Sequence, residues 1–242
     1  MILSISHDFE CPPMFLDDEY NLVPHFPNLS YRTPESPGSW ENENLSNLQG
    51  AKHCCEAIHE MLVDMRWLTE EFERYYVNQD STGTTESIRS KIAFTDHAAA
   101  LCARLSSRTP QPENPYYEVV RLVSLIYATA LQHCISFYAA SILLGSDVTE
   151  QIGDHFMKTK LNTCWYGGMA GVVFWCGLVA SAAATPLKSH RGRRAARWLR
   201  VGAFYCMILL STEHSDVFLT TTKRLIKVQR VLRRGDCTSG HG

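Results

Sequence analysis

Two stretches of this 242-residue chain, 122–146 and 161–187, contain no Asp, Glu, Lys or Arg. At 25 and 27 residues, each exceeds the ~20 that a helix needs to cross a bilayer. That leaves two architectures. In one, the chain is a small integral membrane protein spanning at about 122–146 and 161–187, with the cations after Leu187 as a flank and Gly167-x-x-x-Gly171 as a packing signal. In the other, these are central helices of a helical domain, uncharged because neighbours cover them on every side. The first stretch holds Gln132, His133 and several Ser and Thr, and the second is diluted by Gly, Ala, Ser and Thr. That dilution favours the buried-helix reading, without a membrane.

The rest of the chain agrees. Residues 1–46 hold six of the ten prolines among acidic and aromatic residues, which excludes a continuous helix. This reads as an irregular, partly disordered arm laid on the domain through Phe15, Tyr20, Phe26 and Trp40. From Asn47 apolar residues recur every three or four positions: Ala51, Cys54, Cys55, Ile58, Met61, Leu62, Met65, Leu68, Phe72 and Tyr75. The spacing predicts an amphipathic helix stopping near Asp80-Ser-Thr-Gly83. A second helix is expected over about 86–105, with Ile88, Ile92, Leu101 and Leu105 inward. A long one is expected over 116–144, ended by Gly145. Asp147-Val-Thr-Glu150 resembles a capping box for a helix to about 161. Further helices are expected within 161–187, over 195–211 with Trp198, Leu199, Phe204 and Leu209, and over 215–234 with Ser215 or Asp216 as cap. No pair of strands is visible. The expectation is an all-α bundle of about seven helices over 47–234, with a disordered tail at 235–242.

Chemistry is sparse. Nine cysteines show no regular spacing, and Cys102, Cys134, Cys164, Cys176 and Cys206 lie in apolar runs, where a thiol acts as a small hydrophobe. Residues 1–13 have no basic segment ahead of an apolar core, so no secretory signal is expected. The densest set of metal-ligand types, His53-Cys-Cys-Glu-Ala-Ile-His59, offers only Cys55 and His59 on one helical face. Two ligands do not make a site, so no metal is expected. Glu213-His-Ser-Asp216 reads as a turn rather than a triad, whose members meet through the fold. There is no phosphate loop, nucleophile elbow or zinc-protease motif. Catalytic residues and cofactors are therefore not expected.

Charge is uneven. Residues 1–60 carry ten acidic and two basic side chains, whereas 185–242 carry twelve basic and three acidic. The basic segments, His190-Arg-Gly-Arg-Arg-Ala-Ala-Arg197 and the run from Lys223 to Arg234, read as solvated faces. No groove-reading module accompanies them.

Three strings, in order, resemble one family. Met61-Leu-Val-Asp-Met-Arg-Trp-Leu-Thr69 resembles the Asp-Met-Arg-aromatic-Leu-Thr helix of the fungal-specific transcription factor domain. Tyr116-Tyr-Glu-Val-Val-Arg-Leu-Val-Ser-Leu-Ile-Tyr127 is similar to its Glu-x-x-Arg-Leu-x-x-Leu-Ile-Tyr helix. Val172-Val-Phe-Trp-Cys-Gly-Leu-Val-Ala180 with Arg197-Trp198-Leu199 resembles its next two helices. The family residues are thus Asp64, Arg66, Trp67, Glu118, Arg121, Tyr127, Trp175, Gly177, Arg197 and Trp198. The resemblance implies a nuclear or cytoplasmic, non-enzymatic regulatory domain that works through protein partners. The six closely spaced cysteines of the family's zinc cluster are missing: the first cysteine is Cys11, and the next are Cys54 and Cys55. Autonomous sequence-specific DNA binding is therefore not expected.

Arg121 carries one structural expectation. It is the only charged residue between Glu118 and Asp147, so it should be buried and paired with a carboxylate, either Glu118 on its own helix or Asp64 across helices.

Overall fold

The computed structural model describes residues 33–77, 85–145, 147–159, 168–184 and 190–238. Among them are eight helices and no strand: α1 (Glu56–Phe72), α2 (Thr85–Ser107), α3 (Pro115–His133), α4 (Phe137–Leu144), α5 (Val148–Lys158), α6 (Ala170–Ala183), α7 (His190–Glu213) and α8 (Ser215–Thr238). The all-α expectation holds.

The count exceeds seven because the expected long helix is two. α3 begins at an Asn114 cap whose side chain accepts from the Tyr117 N–H, with Pro115 at the first helical position. It ends where Cys134 turns left-handed, at φ 51°. Ser136 then caps α4 by accepting from the Ala139 N–H. The two helices meet at a bend of 112°.

α3 lies at the centre, in contact with α1, α2, α4, α5 and α6. Every residue from Tyr116 to Leu131 is buried, which accounts for the missing charges. α6 is the second central helix, flanked by α3, α4, α5, α7 and α8. It covers only 14 residues of the second uncharged run; 161–167 lie outside the described residues. No single helix among the described residues is long and apolar enough to cross a membrane, and the α3–α4 pair passes that test only as a bent pair.

Other boundaries moved for local reasons. α1 starts at Glu56, not near Asn47, because Gly50 (φ 75°) and His53 (φ 68°) break the backbone after a short 3-10 turn, Ser46–Leu48. Ala51, Cys54 and Cys55 precede the helix. Its far end widens into a π-helical turn, Glu73–Val77. Inward residues of α2 are Phe94, Ala98, Leu101 and Leu105, whereas Ile92 is exposed; the side chain of Ile88 lies outside the described residues. Asp147 makes no capping bond and instead accepts from the Gln151 side chain. α7 takes in the basic stretch, because Ala195, Ala196, Leu199 and Ala203 give it a buried face of mostly small side chains. Phe204, expected inward, is exposed. His214, not Ser215 or Asp216, accepts the first bond of α8 through its carbonyl, and α8 runs to Thr238, into the expected tail.

Small residues set two close approaches. A Cβ on Gly177 of α6 would lie 3.1 Å from Ala203 Cβ of α7. One on Gly171 would lie 2.8 Å from the Glu35 carbonyl oxygen, so Gly171 serves the 33–48 loop rather than a helix pair. Gly167 lies outside the described residues. We expect Gly177→Val to force α6 from α7 and cost about 2 kcal/mol, read as a lowered urea midpoint with unchanged slope.

Candidate functional site

The loop 33–48 belongs to the sequence's Pro-rich arm but is packed into the domain, and it is built around one side chain. Glu35 is fully buried, and its carboxylate accepts from the backbone N–H groups of Glu41 (3.0 Å), Asn42 (3.3 Å) and Asn47 (2.8 Å). Charge-assisted bonds of this kind are the strong ones. They fold the loop back on itself and present Trp40. Phe15, Tyr20 and Phe26 lie outside the described residues.

Trp40 covers two arginines. The Arg224 guanidinium of α8 sits 3.8 Å from the Trp40 ring centroid and that of Arg66, from α1, 5.3 Å away. Arg224 Nε donates to both Glu73 oxygens, at 3.1 and 3.0 Å, and its Nη1 donates to the Gly38 carbonyl at 3.0 Å. The π-helical turn that ends α1 supplies Glu73. Arg66 is buried and donates from Nη2 to Glu70 at 2.7 Å, while its Nε and Nη1 have no partner. Loop, α1 and α8 are thereby clamped together by two cations, two carboxylates and one indole.

Next to the clamp, Thr69 of α1 donates to the Met65 carbonyl at 2.7 Å, so the Tyr127 hydroxyl of α3 donates to Thr69 at 2.9 Å. Complete burial pushes the Tyr127 phenol well above its ordinary range. The same ring stacks on Phe137 of α4 (5.5 Å) and meets Trp175 of α6 edge-on (5.3 Å). Tyr127 therefore ties four helices. On the far side of α3, Arg121 is buried and donates to Glu118 Oε2 from Nε (3.1 Å) and Nη2 (2.6 Å). The other Glu118 oxygen accepts from the Gln111 N–H at 2.5 Å.

Of the ten residues singled out from sequence, Arg66, Tyr127 and Trp175 thus lie in one connected cluster. The Glu118–Arg121 pair forms a second, and Gly177 lines the α6–α7 contact. Asp64 does not reach Arg121; it pairs with Arg104 of α2. Trp67 is half-buried against His97 (4.1 Å). Arg197 is exposed and Trp198 half-buried on α7. Trp40 packs on the domain, as expected of the arm; Glu35 and Glu73 were missed, and Arg224, expected on a solvated face, is instead held in the clamp. For Arg224 the signal was present, since it shares the inward stripe of Thr221, Leu225 and Val228.

Two further features bear on chemistry. A surface groove of about 480 Å³ is lined by Asn44, His59, Asp64 and Arg104 among others, and it is crossed by the Arg104–Asp64 and Arg108–Glu60 pairs. His59 Nε2 bonds the Asn44 carbonyl at 2.8 Å, and Cys55 lies outside the helix. No group of three or more metal-ligating side chains is present among the described residues. Burial, with Cys55 alongside, raises the Cys54 thiol to about 11, and burial also raises Cys102 and Cys134. These thiols stay protonated near neutral pH, the unreactive form.

No protein family, curated protein or solved structure matches this chain. The family resemblance rests on the residues themselves.

Proposed function

We propose that the chain is a helical regulatory domain of the fungal transcription factor type, nuclear, acting through protein partners and without a DNA-reading element of its own. The observation that carries this reading is the meeting of its three strings at one side chain. Thr69 of the first string and Trp175 of the third both touch Tyr127, which closes the second. Strings separated by about fifty residues thus share one centre in the core, as the parts of one fold signature would. The arrangement suits a scaffold, because its carboxylates are spent on cations and on backbone N–H groups.

The test is a tethering experiment. Fused to an unrelated DNA-binding module in yeast, the full chain should change transcription from a cognate reporter several-fold relative to the module alone. In a mobility-shift titration the unfused chain should show only weak, salt-sensitive and sequence-indifferent binding. An unchanged reporter, or duplex discrimination that survives physiological salt, refutes the reading.

A further inference from the structure

α8 has two faces. Inward, Val217, Thr221, Leu225, Val228 and Leu232 are buried, and Arg224 is held by Glu73 and Gly38. Outward, Leu219, Lys223, Ile226, Arg230, Arg233 and Arg234 are exposed. Steps of three and four residues place them in one line, about 22 Å long at 1.5 Å per residue. Lys227 borders the line. None of these five cations has an ion pair among the described residues. Lys223 with Lys227 and Arg230 with Arg234 stand four apart, a like-charge spacing that weakens a helix until counter-charge arrives.

We propose that this face docks an acidic amphipathic helix of a protein partner, its carboxylates among the cations and its apolar side chains over Leu219 and Ile226. The charge calls for an acidic occupant. The two exposed aliphatic side chains, 45% and 43% accessible and one heptad apart, call for an apolar stripe at helical spacing. The same face of a second copy would set cation against cation. A phosphate backbone would use the cations and leave Leu219 and Ile226 without contacts. The inference rests on the proposed function only in taking the partner to be a protein. Binding in solution and reporter activity fail separately: an active reporter with no peptide binding removes this surface alone.

The probe is a labelled synthetic helix of about 20 residues, with Leu seven apart and Glu on either side, titrated with the full chain by anisotropy at about 150 mM salt. Binding is expected. Lys223→Glu with Arg230→Glu and Arg233→Glu should weaken it about tenfold or more, and Leu219→Ser with Ile226→Ser several-fold, with circular dichroism melts unchanged in both. These side chains are exposed, so the fold should tolerate both variants. The proposal fails if the peptide does not bind or if either variant binds as wild type. It fails equally if polyglutamate, duplex DNA or phosphatidylserine vesicles bind as tightly as the peptide.

Discussion

Arg121→Ala should lower stability by about 3 kcal/mol, the order seen when one partner of a buried ion pair is removed. For a chain of this length that corresponds to roughly 6–12 °C in melting temperature. Both side chains are almost wholly inside, Arg121 at 10% and Glu118 at 3% exposure. Without the guanidinium, Glu118 keeps a single bond, from the Gln111 N–H, for a carboxylate almost wholly shielded from solvent. Glu118→Ala should cost at least as much, because it also releases the turn before α3 that Gln111 belongs to. Replacing both by Met and Leu should recover most of the loss, since the penalty comes from the orphaned charge rather than from the missing attraction. The check is a thermal and urea melt of the three variants. An unchanged midpoint in Arg121→Ala, or a double variant as unstable as the singles added together, would falsify this account.

That pair was readable from sequence because Arg121 is a lone cation at the head of an uncharged run, and burying one forces a partner. Its choice of partner was less so. Glu118 and Asp64 were both in reach by type, and only the packing of α2 on α1, which gives Asp64 to Arg104, decides between them. Helix existence followed from apolar spacing wherever one face differs from the other, as in α1 and α8. Boundaries failed where that contrast vanishes. Cys134-Ile-Ser-Phe137 is apolar on both sides of the bend, so periodicity passes through it, and Ser136 as a cap was the one local clue. α7 reads as charged because its inward residues are mostly alanines, which carry little hydrophobic signal.

The clamp was hidden for another reason. Trp40 and Arg224 are 184 positions apart in the chain, and neither forms a local motif with its neighbours. Arg224 sits among five other cations of α8, so its inward position is visible only once the buried stripe is drawn. Glu35 offers no pattern at all, since its partners are backbone N–H groups and any loop could supply them. Contacts made to main chain over long separations leave no trace in residue type.

Trp175→Ala should be the most damaging single change, at about 4 kcal/mol, a large share of the 5–15 kcal/mol that holds an ordinary domain together. Trp175 is 1% exposed at the crossing of α6 and α3, and its removal leaves a cavity against the edge of Tyr127. Tyr127 is also the stacking partner of Phe137 and the hydrogen-bond partner of Thr69, so slack there reaches α1 and α4 as well. Trp175→Phe should cost only about 1–2 kcal/mol, because most of the volume stays and the buried Nε1–H, which has no partner, is removed with the second ring. Urea melts distinguish a scaffold from a binding residue. As scaffold, Trp175→Ala loses stability, and its reporter activity returns when cells are grown cool enough to keep the variant folded. A Trp175→Ala protein that melts like wild type yet is inactive at every temperature would place Trp175 at a ligand instead, and the motif cluster would then be a binding site and not the frame on which one is carried.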